Sequence, residues 1–241
     1  MRIACEAPVG NTSLALASSD FIFAIAPMLK IPEYAQVIRQ SRAVGKELYI
    51  DNGEYEGQRM DVDEYLALCL EWKPRVVVAP DVILDCDKTI ELSREFLRKL
   101  PLNGSKRRPF EIMVVLQGRS AREKMDCYWT LMKEFDFEVV GLGLGAFEKR
   151  WKDRFFFLQN LECCRGRLHV LGVANIHDLC FWKGIAETVD TSLPFHLAQE
   201  GKTFFGKKET KHLNWSDTLK DSRLALAEQN CEAIRELLEN V

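Results

Sequence analysis

Two aspartates, Asp51 and Asp190, sit at the ends of apolar runs (LYID and TVD) that are far apart in the chain. If both runs are buried strands of one curved sheet, their carboxylates reach the same mouth. Two carboxylates facing one sugar carbon are what glycosyl chemistry requires. One attacks the anomeric carbon and the other moves the proton of the leaving or entering group, with a separation of ~5 Å suiting retention. A local reading competes: either aspartate can cap the helix that follows its strand. On residue types alone the two readings stand side by side.

Other polar residues fall at equivalent positions. Asp81 closes VVVAPD, where a carboxylate can accept paired N–H donors such as those on a guanine-like edge. Asp85 and Asp87 follow closely and read as turn or cap residues. In MVVLQG, Gln117 offers an amide donor and acceptor beside Gly118, which lets a ligand approach the backbone. Tyr55 can stack on a planar base or stand as an exposed loop aromatic.

The glycine-rich VVGLGLG lacks the GxGxxG spacing of a dinucleotide site, and no P-loop Lys-Ser/Thr follows it. It leaves two readings for Gly141 and Leu142: close backbone approach of a flat ligand, or packing at a sheet rim. His177 and Cys180 lie three apart on an expected helix without a partner pair of zinc spacing, so neither metal nor cofactor is expected. His169, inside an apolar run, reads as a core histidine, whereas His196 is better placed for a substrate phosphate or backbone. There is no GxSxG elbow and no obvious Cys-His nucleophile pair.

Six runs position these residues: LYIDNG, VVVAPD, MVVLQG, VVGLGLG, LHVLGVAN and TVDTSLP. Each reads as a strand buried on both faces, with helical periodicity between successive runs. FIFAIAP reads as the first strand, TVDTSLP as the seventh and HLNW as a short final one. Helices are expected over residues 31–44, 62–72, 121–135, 148–163 and 219–238, and over the segment DKTIELSREFLRKL. About eight strand-helix units without a linker predict one (βα)8 TIM-barrel domain over residues 1–241, with chemistry at the carboxyl ends of the strands. A doubly wound open sheet is the alternative.

Bulk properties agree with one α/β domain. The chain has 241 residues, 47% of them hydrophobic, and a mean hydropathy of -0.16. A net charge of -3 gives no global basic field, which counts mildly against a polynucleotide partner. Eight cysteines with no CxxC pair predict reduced thiols. With no bilayer-length apolar run and no signal-like start, the expectation is a cytoplasmic protein without a membrane partner. PLNGSKRRP reads as a solvated turn, and the loop carrying Lys202, Lys207, Lys208 and Lys211 as a phosphate-holding or merely solvated segment.

Taken in order, the strand ends resemble the tRNA-guanine transglycosylase superfamily from Leu48 to Phe195. IDNGEYE is similar to that family's DSGG-aromatic-Gln segment, APD to its base-recognising aspartate segment, and VVLQG to its IVQGG. VGLGLG resembles its GGLAVG, VLGVAN its LMGVG, and VDTSLPF its FDCVLPT. The resemblance implies Asp190 as nucleophile, Asp51 as general acid/base, and Asp81 with Gln117 as readers of the base. It further implies Tyr55 and Leu171 stacked on either face, with Gly118, Gly141, Leu142, Gly172 and His196 lining the substrate.

This chain lacks the family's CxCxxC-plus-His zinc segment, and carries Glu54, Phe195-His196 and Ala146 where the family pattern differs. It therefore looks most like the zinc-free DNA 7-deazaguanine transglycosylases of phage type. That implies DNA and a 7-deazaguanine base as partners, with no cofactor. A tRNA-directed enzyme, a base-releasing hydrolase and a non-catalytic nucleic-acid-binding barrel remain the alternatives.

Overall fold

The computed structural model describes residues 1–102, 108–143, 167–204 and 218–240. The alternation expected from the apolar runs is present. The chain begins β1 (Arg2–Cys5), α1 (Thr12–Ala17), β2 (Ile22–Ile25), α2 (Pro32–Ala43), β3 (Leu48–Asp51) and α3 (Val62–Trp72). It continues β4 (Val76–Val78), α4 (Cys86–Lys99), β5 (Glu111–Val115), α5 (Ala121–Glu134) and β6 (Val139–Gly143). After residues 144–166 come β7 (Arg167–Leu171), α6 (Ile176–Trp182), β8 (Thr188–Thr191), α7 (Leu193–Gln199) and α8 (Asp221–Asn240).

The strands form one eight-stranded parallel sheet in the order β1-β8-β7-β6-β5-β4-β3-β2. Chain neighbours are sheet neighbours, and β1 lies beside β8, as in a (βα)8 TIM barrel. The strand count differs from expectation at the ends. The strand missed is RIAC at the N-terminus, so FIFAIAP carries the second strand and TVDT the eighth, not the seventh. Only four residues long and flanked by Met1 and Glu6, β1 has too little apolar length to stand out; its pairing to β8 (Ile3 with Val189, Ala4 with Asp190) makes it a strand. HLNW and the expected helix over 148–163 lie outside the described residues.

By packing, the chain divides into two compact units. One comprises Met1–Phe23, Met28–Glu47 and Val170–Val241; the other comprises Ala24–Pro27 and Leu48–His169. In the first, α7 and α8 close over β1 through Cys5, Phe195, Ala198, Leu219, Ala227 and Cys231. Asn11 ties the chain start to the approach of α8, donating to the Leu219 carbonyl at 3.2 Å and accepting from its N–H at 2.6 Å. Beside β1, the Ile3 N–H donates to the Asp20 carboxylate at 2.8 Å and the Cys5 N–H to the Ser19 hydroxyl at 2.8 Å.

In the second unit, β3 to β6 run parallel in unbroken register, and their interior positions (Ile50, Val77, Ile112, Val114) are fully buried. Three helices start on side-chain caps: Asp61 accepts from the Asp63 N–H, Asp85 from Lys88 and Ser120 from Glu123. From α3, the Tyr65 hydroxyl reaches the carbonyls of Val78 (2.8 Å) and Ile50 (3.1 Å), tying the helix to the ends of β3 and β4.

Candidate active site

The carboxyl ends of β3, β4 and β5 deliver one residue each to a buried hydrogen-bonded triplet. Asn52 follows β3, Asp81 lies three residues beyond β4, and Gln117 lies two beyond β5. The Asn52 amide donates to Asp81 Oδ1 at 2.7 Å, and the Gln117 amide donates to Asp81 Oδ2 at 2.6 Å. Asn52 also donates to the Ala79 carbonyl at 3.1 Å. The acceptor side of each amide is held in turn: Asn52 Oδ1 takes the Glu54 N–H at 2.9 Å, and Gln117 Oε1 takes the Leu84 N–H at 3.0 Å. Those backbone donors fix which way each amide faces. Asp81 is thus clamped between two donors, and a carboxylate has lone pairs beyond the two that they use.

Burial pushes the Asp81 carboxyl up to about 6, while the hydrogen bonds from Asn52 and Gln117 pull it back down. An acid raised on folding binds more protons folded than unfolded. Its stabilising contribution is therefore complete below the ordinary carboxylate value and is lost as pH rises through about 6. In the triplet, stability is traded for a carboxylate poised close to neutrality.

The support beneath Gln117 comes from α5. Gly118 (φ 150°) turns the chain so tightly that a Cβ there would lie 2.6 Å from Glu123 Cβ and 3.0 Å from the Lys124 nitrogen. The missing side chain thus makes room for the first turn of α5. Gly118→Ala is expected to destabilise the fold by about 1–3 kcal/mol, because neither backbone nor Cβ on a capped helix can yield. Urea denaturation checks this, and an unchanged midpoint would show that the turn relaxes freely. The Gln117 N–H also donates to the Cys127 thiol, which its hydrogen bond with Cys86 and its burial push up and keep protonated.

Asp51 ends β3, half-buried, and accepts the Gly53 N–H at 2.9 Å. Gly53 (φ 81°) has no room for a side chain, since a Cβ would meet Pro27 Cγ at 2.8 Å. In the other unit, Asp190 lies inside β8, buried, and its Oδ2 accepts the Gly172 N–H at 3.0 Å. Gly172 adopts φ 63° directly after β7, which aims that N–H back at β8. Neither aspartate caps a helix: Asp61 caps α3, and the N-cap of α7 is Ser192 with no side-chain bond. Both carboxylates are instead oriented by a neighbouring glycine N–H, so the capping alternative fails.

The remaining expected residues are placed as follows. Tyr55 lies on the turn after β3 and is 68% exposed. Leu171 is the half-buried last residue of β7. The Gly141 carbonyl is taken by the Leu116 N–H at 2.9 Å, and the Leu142 side chain is buried in the core. His196 is buried on α7 with Nε2 3.5 Å from Glu200 Oε1, while Lys202 pairs with Glu200 Oε2 at 2.7 Å. His169 is fully buried in β7 against Tyr49. Lys207, Lys208 and Lys211 lie outside the described residues.

Sequence reasoning missed Asn52 and Leu84. Asn52 was visible as an amide beside a strand-end aspartate. Leu84 carried no signal, because its role is a backbone N–H presented at φ 60°, a conformation that strains a leucine. Among the described residues, no group of three or more His, Cys, Asp or Glu could hold a metal ion. No helix among them is long and apolar enough to cross a membrane. Fold and site together define an α/β (βα)8 protein with polar residues gathered at its strand ends. No protein-family model matches the chain, and no curated protein matches it.

Proposed function

We propose that the protein is a base-exchange transglycosylase that replaces guanine in DNA with a 7-deazaguanine, such as the 7-cyano form. The observation that carries this reading is the Asn52–Asp81–Gln117 triplet: a buried carboxylate held by one amide on each oxygen. That arrangement suits a heterocycle presenting two adjacent N–H donors, as guanine and 7-deazaguanines both do. The choice of DNA as the polymer rests on the strand-end resemblance.

On this reading the Asp190 carboxylate attacks C1′ of an extruded guanosine nucleotide. The C1′–N9 bond breaks, guanine leaves with the electron pair, and Asp51 helps N9 gain a proton. A glycosyl ester on Asp190 remains. The incoming 7-deazaguanine then gives its N9 proton to Asp51 and attacks C1′, releasing the Asp190 carboxylate. Asp81 and Gln117 read the edge of both bases, and Tyr55 and Leu171 cover their faces. Extruding a base from a duplex costs a few kcal/mol, so single-stranded or distorted DNA is the expected better substrate. Lys202 and the lysines at 207, 208 and 211 are assigned to phosphates.

Incubation with labelled guanine and guanine-containing DNA, with tRNA as competitor, tests the reading. Incorporation of label into DNA supports it. Release of base without incorporation identifies a hydrolase, and preference for tRNA identifies an RNA-directed enzyme.

The carboxylate form of Asp81 is the one that accepts both donors. Guanine binding should therefore strengthen as pH rises through about 6, with the dissociation constant falling about tenfold per pH unit below that point. Calorimetric titration across this range checks the sign; binding that weakens with rising pH would remove Asp81 as the acceptor.

A further inference from the structure

Among the described residues of the unit Ala24–Pro27 plus Leu48–His169, the buried set holds one carboxylate, Asp81 (5% exposed), and one lysine, Lys124 (1% exposed). A buried ammonium without a compensating partner costs several kcal/mol, so its position calls for a reason. Lys124 lies in the first turns of α5, and its Nζ donates to the Leu116 carbonyl at 2.7 Å. Leu116 immediately precedes Gln117, and its own N–H is fixed on the Gly141 carbonyl at 2.9 Å. Leu116 is thus gripped at both its N–H and its carbonyl, and the side-chain amide of the next residue is the one that bonds Asp81.

We propose that Lys124 is the positioning residue of the base-reading site: its ammonium clamps the Leu116–Gln117 peptide and supplies the buried positive charge that holds Asp81 as an acceptor. The assignment rests on reading Asp81 as the acceptor for a ligand's paired donors.

The charged and titratable neighbours are consistent with that role. Burial raises Asp81; Asn52 and Gln117 lower it by hydrogen bonding, Glu54 from the loop after β3 raises it, and Lys124 from α5 lowers it. Burial brings Lys124 down to about 8, against the opposing pull of Cys127 and Asp81. The Tyr65 phenol from α3 also feels Asp81, and its burial keeps it neutral. Between about 6 and about 8 Asp81 and Lys124 are therefore both charged.

The test is a 13C NMR titration of the Asp81 carboxyl in wild type, Lys124→Met and Lys124→Arg. In the Met variant the midpoint should rise by at least about one pH unit, a tenfold change in proton affinity, and the Arg variant should return most of it. A midpoint unchanged in a folded Met variant overturns the proposal, since a lysine used only for packing would leave it in place. Should the Met variant not fold, the reciprocal measurement serves: the Lys124 midpoint in Asp81→Asn should fall by a similar amount, because the coupling is shared by both groups. No fall overturns it equally. Guanine binding is read separately: a shifted midpoint with no guanine bound sinks the transglycosylase reading and leaves the role of Lys124 standing.

Discussion

Asp190→Asn should lower guanine exchange by about 10³-fold or more while leaving free-base affinity within about twofold. The substitution is nearly isosteric, and the carbonyl oxygen of the introduced amide can still accept the Gly172 N–H that Asp190 accepts at 3.0 Å. Strand β8 should keep its pairing with β1, and stability should change little. What is lost is an anionic oxygen able to form a bond to C1′. The test is labelled-guanine exchange together with mass spectrometry of quenched reactions. A protein–DNA adduct should form with wild type and be absent from the variant; exchange at the normal rate would remove Asp190 as nucleophile.

Asp81→Asn carries the second large effect, and it should appear in both binding and stability. One carboxylate oxygen becomes an NH2 group, and that group faces a donor whichever way it points. Asn52 and Gln117 cannot simply turn over to accommodate it, because their oxygens hold the N–H groups of Glu54 and Leu84. A buried donor left without an acceptor costs about 1–3 kcal/mol, and urea denaturation should register a loss of that size. Affinity for guanine should drop about 10²-fold or more, since two ligand donors would meet a donor where they need an acceptor. The pH dependence near 6 should vanish with the carboxyl group that causes it. A variant that binds guanine like wild type would show that the triplet is structural.

The strand ends were the legible part of this chain. Runs such as VVVAP and IMVVL are apolar without interruption because both faces of each strand are covered, so the first polar residue after each run marks the rim. That rule placed Asp51, Asp81 and Gln117 correctly at the ends of neighbouring strands. It failed for RIAC, whose four residues are identified as a strand by parallel pairing with Thr188–Thr191. Pairing between residues almost two hundred positions apart leaves no local trace. Among the described helices the expected starts fell within a few residues, and Asp85, read as a turn or cap residue, is the cap of α4.

By itself the sequence determined the alternation of strands and helices, the α/β class and the residue types at the rim. Hydrophobic periodicity and cap chemistry are local, and they act within a few residues of where they are written. Only the tertiary structure decided what each rim residue does with its hydrogen bonds. It claimed both oxygens of Asp81 for the Asn52 and Gln117 amides and set Asp51 and Asp190 against glycine N–H groups, not helix ends. It also buried Lys124 beneath Gln117, where its residue type alone would leave it in solvent. The reason is geometric: a hydrogen bond depends on distance and direction between groups from different strands, and those are fixed only when the sheet assembles.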